Sequence, residues 1–480
     1  MEKIFDVIVI GAGVIGCSVA RYLSRYKGSF LVLEKHNDVG EETSSANSAI
    51  VHSGYDPKPG TKKAIFNVKG NKMMPQVAEE LDVPFIMNGS LTVSFSDEED
   101  ETLDELLERA KENGVEARIV EHEELMKMEP NLNPEAHKAI LCPTAGIISP
   151  FNLCVNYMEN AMDNGVELKL NTLVKKIERN GDIYTVICDN GETFKSKTLV
   201  NAAGLYSDEI ASQLDEIDYH VIPRKGEYFV LDHFDKEWVK HTLFMCPTKV
   251  GKGVLVSPTS SFDYIVGPTN EDAAKTDTST EAGILSELKV TAAKLVPNIP
   301  YFENIRQFSG VRANSSIGDF VIEESKNNLG LFNLACIMSP GLASSPAIGE
   351  YVADLVRDKL NLENNPTFNP RIRKHIRFTK LTNEEYNKIV KENPKYGKVI
   401  CRCETVTEGE IIDAIRRNCG ARTVKGIKKR LRPGFGKCQG TFCQNDIIKI
   451  LAREQGVEPT EINYSDLGTQ IMKYDVKGGN

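Results

Sequence analysis

Apolar, mostly β-branched residues dominate the start of the chain and give way to a glycine-rich turn. Ile4 to Ile10 is interrupted only by one aspartate, and Gly11-Ala-Gly13-Val-Ile-Gly16 follows it. A helix-compatible stretch over 17–26 comes next, and a second short apolar run ends at Glu34. Short apolar runs bounded by turn residues are typical of buried strands. The pattern therefore predicts a strand–turn–helix–strand unit.

Each part of this unit has a reason in the binding of a dinucleotide. Gly11 allows the tight turn, Gly13 lets the backbone approach a pyrophosphate, and Gly16 lets the helix pack against the strand. The helix N-terminus presents free N–H groups to phosphates. Glu34, 23 residues after Gly11, can accept hydrogen bonds from a ribose diol and would repel a 2′-phosphate. FAD and NAD both fit, and an ordinary structural turn is the alternative.

The periodicity of the remaining chain predicts further helices separated by short strands. The predicted helices are 67–81, 96–110, 152–163, 280–295 and 347–359, the last after a turn over 339–346. The predicted strands are 166–170, 174–177, 184–187, 228–231, 243–246, 254–256, 264–266 and 331–335. Strands alternating with helices favour an α/β architecture, and a region rich in strands favours α+β.

Composition limits the class of protein. The 480-residue length favours several domains, and 41% hydrophobic residues are enough for a sizeable core. The net charge of −10 argues against a nucleic-acid partner. The sequence has neither a secretory leader pattern nor an apolar run near the ~18 residues of a membrane span. It predicts a cytoplasmic protein, for which peripheral membrane contact stays open.

The segment after Glu34 is rich in small hydroxyl and amide side chains and is predicted to form a loop. This loop would place Thr43, Ser44 and Ser48 against phosphate or ribitol oxygens. The pattern ExxxxxGxxxSxxNS after the glycine turn resembles the FAD-dependent, D-amino-acid-oxidase-like oxidoreductases. The following HSGYDPKPGTKKA is similar to the branch that holds FAD-linked glycerol-3-phosphate dehydrogenases and oxidases and L-2-hydroxyglutarate dehydrogenases. The resemblance implies FAD, with Lys35 among its contacts.

Two motifs extend the resemblance into the flavin-binding part of the chain. In the resembling family a residue at the position of Val174 packs beside the adenine. Small residues matching Ala203 and Gly204 lie under the pyrophosphate there, and an ordinary strand end is the alternative for all three. The turn over 339–346 would set helix N-terminal amides at Gly341 and Leu342 against the pyrimidine end of the flavin, where they stabilise an anionic ring.

Two further motifs and one histidine suggest substrate chemistry. The run from Val250 to Pro258, which contains Lys252, resembles a phosphate-contacting strand, although Lys252 can equally be a solvated lysine. The run Phe308-Ser-Gly-Val-Arg312 resembles the substrate-binding arginine motif of the same branch. His52 is the candidate base, because an imidazole with an ordinary pKa near 6.5 suits proton transfer at neutral pH. The alternative is a histidine that only hydrogen-bonds the loop or the flavin.

Four cysteines form the only cysteine group in the sequence. Cys401 and Cys403 precede Cys438 and Cys443 by 34 intervening residues. Four thiolates can hold zinc or an iron–sulfur cluster, and free thiols are a third possibility. The spelling Cys-Arg-Cys-Glu with Gly-Lys-Cys-Gln-Gly-Thr-Phe-Cys resembles the bacterioferritin-associated-ferredoxin type of 2Fe–2S domain, which implies a 2Fe–2S cluster. Cys419 stands alone and is interpreted as a core or surface thiol.

A strongly basic run precedes the second cysteine pair. Residues 421–437 hold seven Lys or Arg and no acidic residue. A solvated face that offsets the charge of the cluster is one interpretation. A docking surface for an electron-transfer partner is the other, and the sequence does not choose between them.

The predicted fold is α/β and α+β, with a Rossmann-like FAD-binding domain, an inserted mixed-sheet substrate domain and a small C-terminal iron–sulfur domain. The predicted oxidoreductase domain is 1–360. Its FAD-binding parts are about 1–80, 145–215 and 315–360, and its substrate parts are about 81–144 and 216–314. A linker over 361–397, a 2Fe–2S domain over 398–455 and a tail over 456–480 follow.

Together these features predict oxidation of a secondary alcohol with an anionic end. The resemblance favours sn-glycerol 3-phosphate, with Lys252 and Arg312 binding the phosphate and dihydroxyacetone phosphate as product. Electrons would leave through the cluster to an external partner subunit or protein. L-2-hydroxyglutarate, whose two carboxylates call for a cation at each end, is the alternative substrate. An electron-relay subunit without an alcohol substrate is the alternative from another functional class.

Overall fold

The computed structural model describes residues 3–247 and 253–473, and the helices lie throughout these ranges. In chain order they are α1 (Val14–Leu23), α2 (Lys62–Glu80), α3 (Asp97–Glu112), α4 (His122–Met128), α5 (Pro150–Asp163), α6 (Ser207–Ala211), α7 (Ala282–Leu295), α8 (Gly341–Leu360), α9 (Asn383–Glu392), α10 (Glu408–Arg416), α11 (Val424–Leu431) and α12 (Gln444–Gln455). None of the helices in the described ranges is long and apolar enough to cross a lipid bilayer.

The strands of the same ranges are mostly short. They are β1 (Ile4–Ile10), β2 (Phe30–Leu33), β3 (Ile50–Val51), β4 (Phe85–Ile86), β5 (Ser90–Val93), β6 (Arg118–Glu121), β7 (Lys138–Cys142), β8 (Gly146–Ile148), β9 (Glu167–Lys169), β10 (Val174–Asn180), β11 (Ile183–Cys188), β12 (Thr193–Asn201), β13 (Val221–Leu231), β14 (Thr242–Met245), β15 (Leu255–Pro258), β16 (Tyr264–Gly267), β17 (Glu271–Asp272), β18 (Asn304–Ser315), β19 (Val321–Glu324), β20 (Leu331–Ala335), β21 (Val399–Cys401) and β22 (Val406–Thr407).

Strand β1 lies inside the first sheet, which has the order β10-β11-β12-β1-β2-β9. Strand β20 adds beside β12 and β19 beside β20. The pairs β1–β2, β1–β12, β2–β9 and β12–β20 are parallel. Central parallel strands are covered on both faces, which explains why β1 and β2 read as continuous apolar runs. The fold class predicted from the sequence is confirmed.

The second sheet contains the longest pair of strands. Strands β13 and β18 run antiparallel from Val221 opposite Ser315 to Leu231 opposite Asn304. The sheet continues from β13 through β16, β15, β14, β5 and β7 to β6. Its apolar face packs on α7 around Leu231, Leu288 and Leu295. Strand β18 also reaches the loop after β2, because a Cβ at Gly310 would lie only 2.0 Å from the carbonyl oxygen of Ala46. This contact packs the second sheet against the loop that follows β2 of the first sheet.

Helix α8 differs from the sequence prediction at its start. The turn was predicted to extend to residue 346, but the helix begins at Gly341 and contains Pro346. A proline removes a backbone N–H that would bond to the carbonyl four residues earlier. The hydroxyl of Ser345 donates to that carbonyl, on Leu342, at 2.9 Å. The local replacement of the lost hydrogen bond lets the helix start six residues earlier.

The C-terminal residues form a small unit with its own core. Helices α10, α11 and α12 surround Ile411, Ile427, Ile447 and Leu451, and the β21–β22 pair closes one side. The segment between α8 and this unit, residues 361–397, is bonded to the predicted oxidoreductase domain over 1–360, called the flavin-type domain below. Arg377 pairs with Asp82 at 2.8 Å, and the amide of Asn160 donates to the carbonyl of Asn369. The chain between 361 and 397 therefore contacts the flavin-type domain at several points.

Candidate functional site

The glycine turn after β1 is as tight as the sequence predicts. Gly11 has a φ of +97°, and a Cβ there would lie 2.6 Å from the carbonyl oxygen of Ala202. A Cβ at Gly16 would lie 1.9 Å from the carbonyl oxygen of Gly11. Both contacts are with backbone atoms that cannot move aside. The two glycines are thus required by the packing of α1 against β1 and β12.

The N-terminus of α1 carries little side-chain capping. Gly13 is its N-cap and supplies no side chain, and the N–H of Val14 donates to Ser44 Oγ at 2.9 Å. Thr43 Oγ1 donates to the carbonyl of Val311 at 2.7 Å, which ties the loop to β18. Ser48 Oγ lies 3.0 Å from Tyr228 Oη. The predicted loop residues therefore fix the loop around the helix N-terminus.

Glu34 is held at the turn by two backbone donors. Its Oε2 accepts from the N–H of Ala12 at 2.7 Å, and its Oε1 accepts from the N–H of His36 at 2.9 Å. Burial raises the pKa of Glu34, and the two N–H donors oppose this. Lys35 points elsewhere, because its Nζ pairs with Glu42 at 2.6 Å. The same Nζ lies 3.9 Å from the centroid of the Tyr206 ring.

A deep cleft opens beside this turn, with about 1580 Å³ of space, part of it open to solvent. It brings together predicted residues that are far apart in sequence: Gly13, Thr43, Ser44, Ser48, His52, Gly204, Arg312, Gly341 and Leu342. Gly11, Gly16, Glu34, Lys35, Val174 and Ala203 do not line it; Val174 packs in the core of the first sheet. Lys252 lies outside the described residues.

The cleft fits a flavin dinucleotide. Helix α8 begins at it without a side-chain cap, and the start of α1 has only the Ser44 hydroxyl, at the N–H of Val14. Two helix N-termini offer N–H groups and partial positive charge to anionic groups. Apolar side chains such as Ile50, Leu255 and Met338 supply walls for a planar ring. One buried acceptor in the lining, Asn314 Oδ1, has no partner among the described residues.

His52 lies in the same cleft, immediately after β3. Its backbone carbonyl accepts from the side-chain amides of Asn67 and Asn71 on α2. Its ring stacks on Phe244 with 5.8 Å between centroids. Nε2 lies 3.4 Å from Ser339 Oγ, at the turn before α8. These contacts fix the backbone and one face of the ring while Nε2 points toward the start of α8.

Arg312 reaches the cleft from β18. Its Nη2 donates to the carbonyls of Lys225 and Thr269 at 3.2 and 2.9 Å and to Asn270 Oδ1 at 3.1 Å. Its Nη1 has no hydrogen bond within residues 3–247 and 253–473. Burial lowers the pKa of Arg312, opposed by Tyr228 and Glu271. A guanidinium fixed on one side and open on the other is suited to an anion.

Several cleft residues were missed by the sequence analysis. Tyr228 stacks on Phe308 with 4.6 Å between centroids and contacts Ser48. Phe244, Asn270 and Ser339 contact His52 or Arg312. They lie on short strands and turns with no motif of their own, so no pattern marked them. A tyrosine two positions after a glycine, at Gly226 and Tyr228, was the one available signal.

The four C-terminal cysteines form two pairs. The sulfurs of Cys403 and Cys438 lie 3.6 Å apart, and this pair faces solvent. Cys401 and Cys443 are buried and hydrogen-bonded to each other. This hydrogen bond from Cys443, with backbone donors, lowers the pKa of Cys401 to about 6 despite burial. Gly436 keeps the site compact, because a Cβ there would lie 2.5 Å from Cys403 Cβ.

The arrangement fits a 2Fe–2S cluster. Backbone N–H groups of Glu404, Gly434 and Cys403 donate to Cys401, and those of Gly440 and Phe442 to Cys438. Such donors are the usual environment of cluster thiolates. A zinc ion with Zn–S bonds of about 2.3 Å would draw all four sulfurs into one tetrahedron. Among the described residues, no three of these sulfurs lie within 4.8 Å of one another.

The central part of the basic run over 421–437 is neither a solvated face nor a docking surface for a partner. Lys429 and Arg430 on α11 are buried against the flavin-type domain. Arg430 makes a two-pronged ion pair with Asp38, at 2.7 and 2.9 Å, and Lys429 pairs with Glu41 at 2.6 Å. Cys419 is a buried core thiol, as predicted, with its carbonyl bonded to Arg430. The helix therefore docks within the chain and not on a partner.

Comparison with protein families gives two matches. The FAD dependent oxidoreductase (DAO) model matches residues 6–355. The BFD-like 2Fe-2S binding domain model matches residues 399–453. The two matches confirm FAD over NAD and the iron–sulfur cluster over zinc or free thiols.

Individual proteins extend these matches. The chain is 44% identical over 471 residues to the glycerol 3-phosphate dehydrogenase of Caloramator mitchellensis, covering 98% of each chain. It is 29% identical to the mitochondrial L-2-hydroxyglutarate dehydrogenase of Arabidopsis thaliana, covering 73% of this chain and 83% of the relative. Among solved structures, the dithionite-reduced, FAD-bound L-alpha-glycerophosphate oxidase of Mycoplasma pneumoniae superposes with a TM-score of 0.74 at 30% identity. That alignment covers 77% of this chain and 99% of the oxidase.

Proposed function

The chain belongs to the FAD-dependent oxidoreductase (DAO) family, and from this we propose that it oxidises sn-glycerol 3-phosphate to dihydroxyacetone phosphate. FAD and a 2Fe–2S cluster are its cofactors. The observation that carries the proposal is one cleft lined by the N-termini of α1 and α8, His52 and Arg312. The similarity to a full-length glycerol 3-phosphate dehydrogenase supports the choice of substrate.

Arg312 binds the anionic end of the substrate in this proposal. Its Nη2 is occupied by Thr269 and Lys225 carbonyls, so Nη1 is the group left to donate to a phosphate oxygen. The fixed side of the guanidinium lowers the entropy lost on binding. Lys252 is proposed as a second phosphate contact from its motif alone.

His52 accepts the proton of the substrate hydroxyl at Nε2. The stacked Phe244 ring holds the plane of the imidazole, and Ser339 Oγ lies on the Nε2 side. FAD, when bound in the cleft, would supply the acceptor for the hydride of the alcohol carbon, and a 2Fe–2S cluster held by the four cysteines would supply a route for single electrons. Removal of the hydroxyl proton by a fixed base places negative charge on the oxygen, and the hydride on the adjoining carbon then leaves more easily as the C=O bond forms.

The electrons leave, we propose, at the exposed cysteine pair. Cys403 is exposed and Cys438 half-buried, whereas Cys401 and Cys443 are buried. The side chain of Phe442, beside this pair, is 80% exposed. A separate electron-transfer protein or subunit would approach this face. The predicted domain limits and the cytoplasmic location stay predictions.

The function is tested by anaerobic visible spectra of the holoenzyme. Addition of glycerol 3-phosphate should bleach the flavin band, and cluster absorbance should change with it. L-2-hydroxyglutarate should leave the spectrum unchanged; bleaching by it alone would assign the alternative substrate, which the similarity to L-2-hydroxyglutarate dehydrogenases keeps in view. No bleaching by either compound would refute the alcohol oxidation and leave an electron relay.

Two variants test the residue roles. Arg312→Ala should raise KM for glycerol 3-phosphate roughly ten- to hundredfold, because a charge-assisted hydrogen bond contributes about 1.5–3 kcal/mol. His52→Asn should lower kcat with little change in KM, and by about 10²–10⁴-fold if it is the base. Arg306→Ala, an exposed arginine on the same strand, is the matched control. Unchanged kinetics in both variants would remove these assignments.

A further inference from the structure

Among the basic residues between 425 and 432, one has no anionic partner in the part of the chain that the structure describes. Lys425 and Lys429 pair with Glu41, Arg430 pairs with Asp38, and Arg432 pairs with Glu404. Lys428 makes no ion pair or hydrogen bond with any residue that the structure describes, although its exposed fraction is only 9%. The low exposure is that of the whole side chain, and the Lys428 ammonium is not one of the fully buried nitrogens without a partner. Its charge is thus not neutralised by a carboxylate and is left to act on other groups nearby.

The stem of Lys428 passes over the buried edge of the cysteine site. Its Cδ lies 3.8 Å from the position that a Cβ at Gly434 would take. The backbone N–H of Gly434 donates to the sulfur of Cys401. The ammonium lies 4.6 Å from the centroid of the Phe435 ring, which supports it from one side. One residue, Gly434, thus separates the lysine from a cluster ligand.

The charges around Lys428 support the same conclusion. Burial, with the cations of Arg306, Arg432 and Lys425, lowers the pKa of Lys428 to about 8, and Cys443 opposes them by raising it. The side chain therefore remains mainly charged at pH 7. Four thiolates with a 2Fe–2S cluster carry net negative charge, and reduction adds one electron to it. A positive charge that acts on the ligand Cys443 favours the reduced form of the cluster.

We propose that Lys428 is the counter-charge of the cluster and raises its reduction potential, acting as a positioning residue across Gly434. The gain of one electron by the cluster is then more favourable, with no bond formed or broken by the lysine. The inference requires the cluster to be present and does not depend on the identity of the substrate.

The test is a redox titration of the holoenzyme with dithionite and mediator dyes, in which the reduced cluster is followed by electron paramagnetic resonance. Lys428→Met keeps the length of the stem and removes the charge. It should lower the equilibrium constant for cluster reduction roughly tenfold, or about 59 mV for a one-electron couple. Lys428→Arg should keep the wild-type potential. Lys449→Met, an exposed lysine of the same domain, is the matched control and should change nothing.

A wild-type potential in Lys428→Met with a full iron content would overturn the proposal. If Lys428→Met loses iron, Lys428→Gln takes its place with the same expectation. Iron loss from both neutral variants, with iron and potential retained in Lys428→Arg, supports the charge as the required feature. Iron loss from the arginine variant as well would overturn it, because shape and not charge would then be the role. Flavin bleaching by glycerol 3-phosphate is measured separately, so failure of the substrate assignment leaves this result intact.

Discussion

Removing one partner of the buried pair between Asp38 and Arg430 should loosen the iron–sulfur domain and the flavin loop together. Burial alone would raise the pKa of Asp38, but the charges of Arg430 and Lys429 outweigh it and hold the pKa well below the usual range. Asp38 and Arg430 have exposed fractions of only 5% and 7%. The loop that carries Asp38 continues to Ser44, which accepts from the N-terminus of α1.

The magnitude follows from the burial of both groups. Breaking a buried ion pair by neutralising one partner typically costs 3–5 kcal/mol, because the other charge is left uncompensated. Asp38→Asn should cost about that amount, a large share of the roughly 5–15 kcal/mol of a domain. Arg430→Met should cost less, because Lys429 still lies 3.2 Å from the Asp38 carboxylate. The double variant should cost clearly less than the sum of the two, because neither charge is then left alone.

Urea unfolding of the holoenzyme gives the free energy of unfolding, and FAD release measured in parallel reports on the flavin loop. Each single variant should unfold at lower urea and release FAD sooner, and should be cleaved faster by protease between 361 and 397. Arg118→Met is the control, because Arg118 makes a similar two-pronged pair with Glu124 on the surface, where such pairs contribute little. Additive single and double costs, or FAD release unchanged in all variants, would refute the reasoning.

The other predictions concern the cluster and acid stability. Gly436→Ala should lower the iron content, since its Cβ would lie 2.5 Å from Cys403 Cβ. Gly283→Ala is the control and should keep its iron, because a Cβ there meets nothing within 4 Å. Equal iron content in the two variants would contradict the packing argument. Burial lowers the pKa of His375, so its neutral form stabilises the fold above about pH 6.5 and that contribution is lost as the pH falls through this value. The pKa of Asp82 is held low by His375 and Arg377 against the effect of burial, so its contribution is present above about pH 4 and lost below it. Unfolding free energies measured from pH 7 to pH 3 should therefore fall in two stages, and His375→Gln should remove the first; an unchanged first stage would exclude His375 as its source.

Local chemistry explains what the sequence predicted correctly. The glycine turn after β1 could be predicted from the sequence, because tight backbone contacts, such as that of Gly16 with Gly11, leave no room for a side chain at these positions. Strand β20 was predicted with its observed limits, since a fully buried strand is a continuous apolar run. The cysteine pairs could be predicted because no other side chain supplies a thiolate. In each case the constraint lies between residues close in sequence.

The start of α8 shows where local rules fail. A proline and several small residues favour a turn, but the helix begins at Gly341, and the hydroxyl of Ser345 donates to the Leu342 carbonyl that the proline leaves without an N–H donor. The contribution of Tyr228 to the cleft depends likewise on the pairing of β13 with β18. Neither hydrogen bonding nor strand pairing leaves a periodic signal at the residues that use it.

The sequence by itself determined the dinucleotide unit, the four-cysteine group and the order of the domains, because these depend on residue types at fixed short spacings. The tertiary structure decided the environment of each charge. The sequence of the helix that carries Lys428, Lys429 and Arg430 does not show whether these side chains face water, a partner or the rest of the chain. Only the fold brings Asp38 and Glu41 against two of these residues and the cysteine site against the third, and the energy of a charge depends on that environment more than on its place in the chain.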